Sequence, residues 1–379
     1  MKEKILQIIL NLCYLRAKKS KKMNLKKKIA LELFRKIRHN DAKLHELNYI
    51  FWETTLRCNL RCIHCGSSCE ANVPIQDMPK EDFLAAIDKI IPIVNPNKTM
   101  IAITGGEPLL RKDLEDVGRE LYKRGFPWGI VTNGMLLNET RLKSLLQAGM
   151  RSATVSLDGL EEAHNWMRNS PLSFKNAVKA ISLFTKTKNF RFDVCTCTTQ
   201  RNIHQLHQIK ELLLSLGLKE WRIFTVSPIG RAKNNPDLQL SDEQFRSVFE
   251  FIKEARKEGK LRVNYDCEGF LGDYEGDVRD NFFTCRAGIN VASILVDGSI
   301  SACPDLRENF IQGNIYKDDF AEVWQNRYQI YRDRSWTKTG ECADCKVFRY
   351  CEGNGLHLHD EKNGELLFCH YKKLYPKKN

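Results

Sequence analysis

The sequence has no apolar run of the roughly 20 residues that a membrane-spanning helix requires. The run ILQIILNLCYL (5–15) is about half that length and is interrupted by Gln7 and Asn11. It also lacks a small-residue cleavage site, which argues against a secretory signal peptide. Fourteen cysteines in 379 residues are too sparse for a disulfide scaffold. A reducing cytoplasm is therefore the expected compartment. Acidic residues are scarce at the start of the chain: residues 1–49 carry fourteen Lys/Arg and four Asp/Glu. Their net charge of +10 leaves only +3 of the total +13 for the rest. The body is close to balanced, so the overall basicity is not the mark of a nucleic-acid-binding core. No internal repeat stands out, nor any low-complexity segment beyond the Lys-rich start.

What is present divides into three parts: a basic helical arm (1–44), a longer α/β region (45–260) and a smaller cysteine-rich region (261–379). In the arm, Ile5, Ile8, Ile9 and Leu12 share one helical face and precede Lys18, Lys19, Lys21 and Lys22. This pattern suits either an amphipathic helix on an anionic membrane surface or a solvated basic helix, and Met23 is an alternative start. From Ile50 onward, β-branched runs alternate with helical patterns. The strands expected are 49–56, 100–105, 128–134, 152–159, 191–199 and 221–227, with helices such as 80–94 and 203–217 between them. Six β-then-α units predict a parallel sheet wound with helices, an open sheet or a partial (β/α)6 barrel. In such folds chemistry gathers at the C-terminal ends of strands. The cysteine loop, GGEP, TNG and SLDG all follow strands in that position.

The stretch TTLRCNLRCIHCGSSCE (54–70) holds Cys58, Cys62, Cys65 and Cys69. Structural zinc usually takes two knuckles separated by a longer loop, and no partner knuckle lies nearby. Three closely spaced thiolates suit one corner of a cubane iron–sulfur cluster, which leaves the fourth iron open to bind a ligand.

The motif Cys58-x3-Cys62-x2-Cys65, with His64 before the third cysteine and GGEP after the second strand, resembles the radical S-adenosylmethionine superfamily. The resemblance implies a TIM-like partial barrel and a [4Fe-4S] cluster on Cys58, Cys62 and Cys65, with Cys69 a non-ligand thiol. It also implies that S-adenosylmethionine is cleaved by one electron to a 5′-deoxyadenosyl radical that abstracts hydrogen from substrate. Gly105 and Gly106 would let the backbone approach the methionine portion, and Glu107 would accept from its ammonium. Ser156 and Asp158 resemble the contacts to ribose and methionine tail. His64 would pack on the adenine, and Thr132 and Asn133 would line the same mouth. Arg231 reads as an anchor for a cofactor carboxylate or as a loop salt bridge.

Cys285-x12-Gly298-x4-Cys303, Cys342-x2-Cys345-x5-Cys351 and Cys369 resemble the SPASM auxiliary-cluster domain. Cys342, Cys345, Cys351 and Cys369 would ligate one closed auxiliary cluster, although zinc would also suit this spacing. The family pattern continues with a cysteine four residues after Cys351, where this chain has Gly355. A cluster on Cys285 and Cys303 would then be absent or altered, with Cys267, His357, His359 and His370 as the spare donors. Asp305 is a candidate proton acceptor, or else a turn aspartate. Cys195 and Cys197 read as buried thiols, and His204 and His207 as surface or core residues. HELNYIFWETTLRCNLRCIHCGSSC (45–69) is most similar to a radical SAM/SPASM subfamily encoded beside a small lipoprotein. The implied function is modification of a peptide or protein, with an external electron donor such as flavodoxin or ferredoxin. The alternatives are a small-molecule substrate, or a non-enzymatic zinc-stapled module binding nucleic acid through residues 16–38.

Overall fold

The structure, a computed structural model, describes residue 23 and residues 25–266 and 268–376. The amphipathic pattern of residues 5–22 and the spare thiol Cys267 lie outside the described residues. The six expected strands form β1 (Tyr49–Glu53), β2 (Met100–Thr104), β3 (Trp128–Thr132), β4 (Met150–Ser156), β5 (Arg191–Thr198) and β6 (Glu220–Thr225). They lie side by side in sequence order, each parallel to the next. Parallel strands need crossovers, and the helices supply them: α2 (Lys80–Ile90), α3 (Leu114–Lys123), α4 (Glu139–Gln147), α5 (Glu161–Arg168), α6 (Ser173–Thr185) and α7 (Leu206–Ser215). The helical pattern at 80–94 stops early because Pro92 lies in a 3-10 turn after Ile90. α8 (Asp242–Glu258) begins with a Ser241–Gln244 capping box and ends at Gly259 with φ 69°.

The sheet runs beyond the six expected strands. β7 (Arg262–Tyr265) extends it past β6, and β8 (Val291–Ile294) pairs parallel with β1 on the other side. β9 (Ser299–Ser301) and β10 (Gly313–Asn314) add antiparallel strands at that edge. The result is an open ten-stranded sheet with β10 and β7 at its edges. The cysteine-rich region thus shares a hydrogen-bonded ladder with the α/β region. These strands were not foreseen because four residues or fewer carry too little periodicity to register as strands.

β2 and β3 are near-continuous buried runs, as in a sheet covered on both faces, whereas along β5 and β6 buried and half-buried residues alternate. Ile50, Trp52, Ile101, Ile103, Val155, Val194, Ile223 and Val263 are fully buried. Trp52 of β1 stacks on Phe83 of α2, with ring centroids 3.9 Å apart. The helix of the arm, α1 (Leu25–Leu44), docks on the cysteine-rich region. Its buried Arg38 pairs with Glu352 at 2.6 Å and donates to the Tyr350 carbonyl at 2.7 Å. Among the described residues, no helix is long and apolar enough to cross a membrane.

Candidate functional site

β1 and β2 end together, and the chain beyond each end keeps pairing. Thr54 N–H donates to Thr104 O at 3.0 Å, Gly106 N–H to Thr55 O at 2.7 Å, and Glu107 N–H to Arg57 O at 3.0 Å. Two glycines permit this. Gly105 has φ +129°, and a Cβ there would lie 2.2 Å from Thr55 O; one on Gly106 would lie 2.2 Å from Arg57 O. In this structure the bare glycine positions accommodate the backbone of the cysteine loop itself.

The loop then folds back, with Cys58 N–H donating to Glu70 O at 2.9 Å. Arg231 clamps it from the β6 side. Its Nε donates to Cys62 O at 2.7 Å, its guanidinium also to Cys69 O at 2.9 Å, and its N–H to Cys65 O at 3.1 Å. Arg231 is therefore a brace on backbone carbonyls. Cys58, Cys62 and Cys69 are buried, together with Leu60 and against Leu56 and Met135. Burial pushes the Cys58 thiol up to about 12 and also raises Cys62. The Cys69 thiol donates to the Ser67 carbonyl at 3.9 Å, and its interaction with Cys65 holds Cys65 below the ordinary thiol value and Cys69 above it.

Such a donor set fits a cationic cluster. Crowded thiols in an apolar pocket resist ionising unless a metal compensates the charge. It fits a single ion poorly. Among the described residues, only His64, Asp158 and Cys197 bring three donor atoms within 4.8 Å of one another. Tetrahedral zinc with Zn–S bonds of about 2.3 Å requires sulfurs about 3.8 Å apart. Neither cysteine group is that tight, whereas a cubane spaces its ligands more widely.

The strand ends supply the rest of the mouth. Glu107, fully buried, ties the GGEP turn to the end of β3. It accepts from Leu109 N–H at 3.1 Å, Thr132 hydroxyl at 2.8 Å and Asn133 N–H at 2.8 Å. Burial raises its carboxyl to about 7 despite these donors. Asn133 Nδ2 lies 3.9 Å from Cys58 Sγ. At the end of β4, Ser156 is buried and receives the Cys195 thiol at 3.6 Å. Asp158 is fully buried. One of its oxygens is gripped by Arg168 through Nε at 2.6 Å and Nη2 at 2.5 Å; the other accepts Cys197 N–H at 2.9 Å. Burial works to raise the Asp158 carboxyl, but the guanidinium outweighs it and holds the group below the ordinary value. The same guanidinium reaches Cys62 Sγ at 3.7 Å. His64 is half-buried, and desolvation with Arg168 nearby lowers it to about 4, so the ring is neutral.

Arg168 is the residue that reading the sequence missed. It ends α5, and no motif marks it. It is the buried cation that links the SLDG turn to the cysteine loop, and its remaining donor capacity suits a carboxylate.

In the cysteine-rich region, Cys342 and Cys351 are buried, and Cys345 and Cys369 half-buried. Burial raises Cys342 to about 11 and also raises Cys351 and Cys369. Neighbouring members of the group push these pKa values up further, as converging thiols do. Cys285 is buried and Cys303 half-buried. Asp305 is exposed, with its carboxylate 3.6 Å from where a Gly66 Cβ would sit. It lines a cleft of about 270 Å³ that runs from Gly66 and Ser67 past Lys233 to His357 and Lys362. His204 and His207 stand apart, the latter packed edge-on to Phe251.

Residues 52–213 match the family model of the radical SAM superfamily, and residues 285–346 match that of an iron–sulfur cluster-binding domain. The chain is 26% identical over 322 residues to an AdoMet-dependent heme synthase of Methanosarcina barkeri, covering 80% of this chain and 90% of that protein. It is 24% identical over 319 residues to a PqqA peptide cyclase of Bradyrhizobium diazoefficiens, covering 81% and 80%. Among solved structures, Streptococcus suis SuiB bound to S-adenosylmethionine superposes with a TM-score of 0.65 at 17% identity, over 94% of this chain and 83% of that one.

Proposed function

The chain belongs to the radical SAM superfamily and carries a SPASM-type iron–sulfur domain, and from that premise we propose that it modifies a peptide or protein. When bound, the [4Fe-4S] cluster and S-adenosylmethionine supply reductive cleavage of the sulfonium and the 5′-deoxyadenosyl radical. The protein's part is to hold, shield and aim. Cys58, Cys62 and Cys65 hold the cleaving cluster, and Cys69 keeps its proton. Gly105, Gly106 and Glu107 fix the loop against the strand ends, so that cofactor contacts there fall to backbone groups. Ser156 and the Asp158–Arg168 pair present a hydroxyl and a guanidinium to the methionine portion, and neutral His64 packs on the adenine. An external one-electron donor such as flavodoxin or ferredoxin supplies the reductant. The zinc-stapled nucleic-acid module is set aside by the family match and by the spread of the thiols.

The observation that favours a peptide is the cleft beside the cysteine loop. Its walls carry Lys233, Lys362, Asp305, Glu308 and Glu361. Charges of both signs suit a polar, extended chain with amide groups along its length, and suit poorly a flat macrocycle with an apolar face. A relative named for a peptide substrate adds weight. Heme synthases among the relatives support the second reading, a small-molecule substrate. The two separate in one assay. Reconstituted enzyme with dithionite should release 5′-deoxyadenosine, and Cys58→Ala should abolish it. A library of synthetic peptides bearing both acidic and basic residues should stimulate release above the unstimulated rate, and an iron porphyrin should not. Stimulation by the porphyrin alone would overturn the peptide reading.

A further inference from the structure

Position 355 is where the SPASM pattern calls for a cysteine, and this chain has glycine. Its backbone is ordinary, with φ −68°, so no left-handed conformation demands glycine. Space does. A Cβ there would lie 2.7 Å from the Glu268 carbonyl oxygen and 2.7 Å from Cε1 of His357. Both distances are well inside van der Waals contact. Glu268 is held in place. Its carbonyl accepts the Gly355 N–H at 3.0 Å, and its buried carboxylate accepts the Thr225 hydroxyl at 2.7 Å and N–H at 3.1 Å. The place for a late ligand is therefore filled by backbone and an imidazole.

Among the described residues, Cys285 and His359 are tied into the backbone around them. Buried Arg334 donates to the Cys285 carbonyl at 2.7 Å and to the Tyr331 carbonyl at 3.1 Å. His359 has its two ring nitrogens on the carbonyls of Gly353 and Gly364, at 2.6 and 3.0 Å. His370 Nε2 lies 2.9 Å from the Tyr265 hydroxyl, and its Nδ1, without a hydrogen-bond partner, faces Gly269. His357 remains; its ring abuts Gly355 and lines the substrate-side cleft.

We infer that no cluster occupies the first auxiliary position. The chain carries one auxiliary cubane, on Cys342, Cys345, Cys351 and Cys369, and His357 with Arg334-bound Cys285 takes the place of the other. The inference rests on the iron–sulfur reading above and concerns the number of clusters and the ligands that hold them. It makes the wall of the cleft protein rather than iron. Substrate then meets an imidazole there, and electrons have one auxiliary station instead of two.

Iron and acid-labile sulfide, counted on the full chain after anaerobic reconstitution, test this. The expected count is about eight irons, for two cubanes. Cys285→Ser should keep about eight, and Cys351→Ser should fall to about four. About twelve irons in the unmodified chain would overturn the inference. So would a loss of about four in Cys285→Ser or in Cys267→Ser. If Cys285→Ser does not fold, the unmodified count and the number of distinct reduced-cluster signals in electron paramagnetic resonance decide alone. Failure of the underlying reading looks different: zinc in place of iron, or no 5′-deoxyadenosine on reduction.

Discussion

Replacing Arg168 by methionine would strip the mouth of the site of its buried cation. Arg168 is 9% exposed and Asp158 fully buried, so the pair exchanges little with solvent. The contact is bidentate, at 2.6 and 2.5 Å to one carboxylate oxygen. Without the guanidinium, Asp158 keeps its Cys197 N–H donor and little else to offset its charge. Breaking one side of a buried pair typically costs about 3–5 kcal/mol, because the partner is left charged and unsolvated. For a chain of this size that corresponds to a fall in Tm of roughly 5 °C. The double variant Arg168→Met/Asp158→Asn should recover much of the loss, since the neutral amide needs no counter-charge. A second readout follows from the 3.7 Å contact to Cys62 Sγ. Removing a donor from a cluster sulfur lowers the reduction potential, so the midpoint of the cleaving cluster should move negative. Thermal denaturation of the reconstituted protein and a redox titration followed by electron paramagnetic resonance measure the two effects. A Tm within about 1 °C of the unmodified protein, with no rescue by the double variant, would refute the buried-pair energetics.

Three other outcomes follow. Gly106→Ala places a Cβ 2.2 Å from Arg57 O, so the cysteine loop must shift; iron should fall by about four per chain while the C-terminal cluster persists. Cys69→Ala removes only the proton-bearing neighbour of Cys65, and iron content should not change; a loss of about four irons would make Cys69 a ligand. His164 is buried between Asp158 N–H and the Ser173 hydroxyl, and burial lowers it to about 3 from 6.5. Above pH 6.5 the ring is neutral in both folded and unfolded chains. As pH falls from 6.5 towards 3, only the unfolded chain takes up the proton, so stability is lost, by about 2 kcal/mol at pH 5. Denaturant unfolding of His164→Gln between pH 7 and 5 should show a shallower acid slope than the unmodified chain; equal slopes would exclude the group.

How legible the molecule was in its sequence depended on the reach of each interaction. The six strands β1 to β6 could be read because each is a short run rich in β-branched, aromatic and Cys residues, near-continuous in β2 and β3 and alternating in β5 and β6, a signal visible within a short window. The cysteine loop could be read for a similar reason: its thiols are separated by two or three residues. β7 to β10 escaped because each is four residues or fewer, too short to show a period, and β8 finds its partner β1 about 240 positions away. Glu107 was foreseen at the mouth, but its three donors on the 107–109 turn and the end of β3 were not. The two glycines were marked by their type, and only the fold showed that Thr55 and Arg57 occupy the space beside them.

By itself, then, the sequence determined the local pattern: where closely spaced thiols fall along the chain, and which runs become strands. Tertiary structure decided the electrostatics and the vacancies. Arg168 meets Cys62 across 106 positions, and Arg334 meets Cys285 across 49. Position 355 is closed by a carbonyl 87 residues earlier in the chain, that of Glu268. Desolvation and close packing act through space, so a buried charge finds its partner, and a missing side chain its replacement, only when the chain has folded.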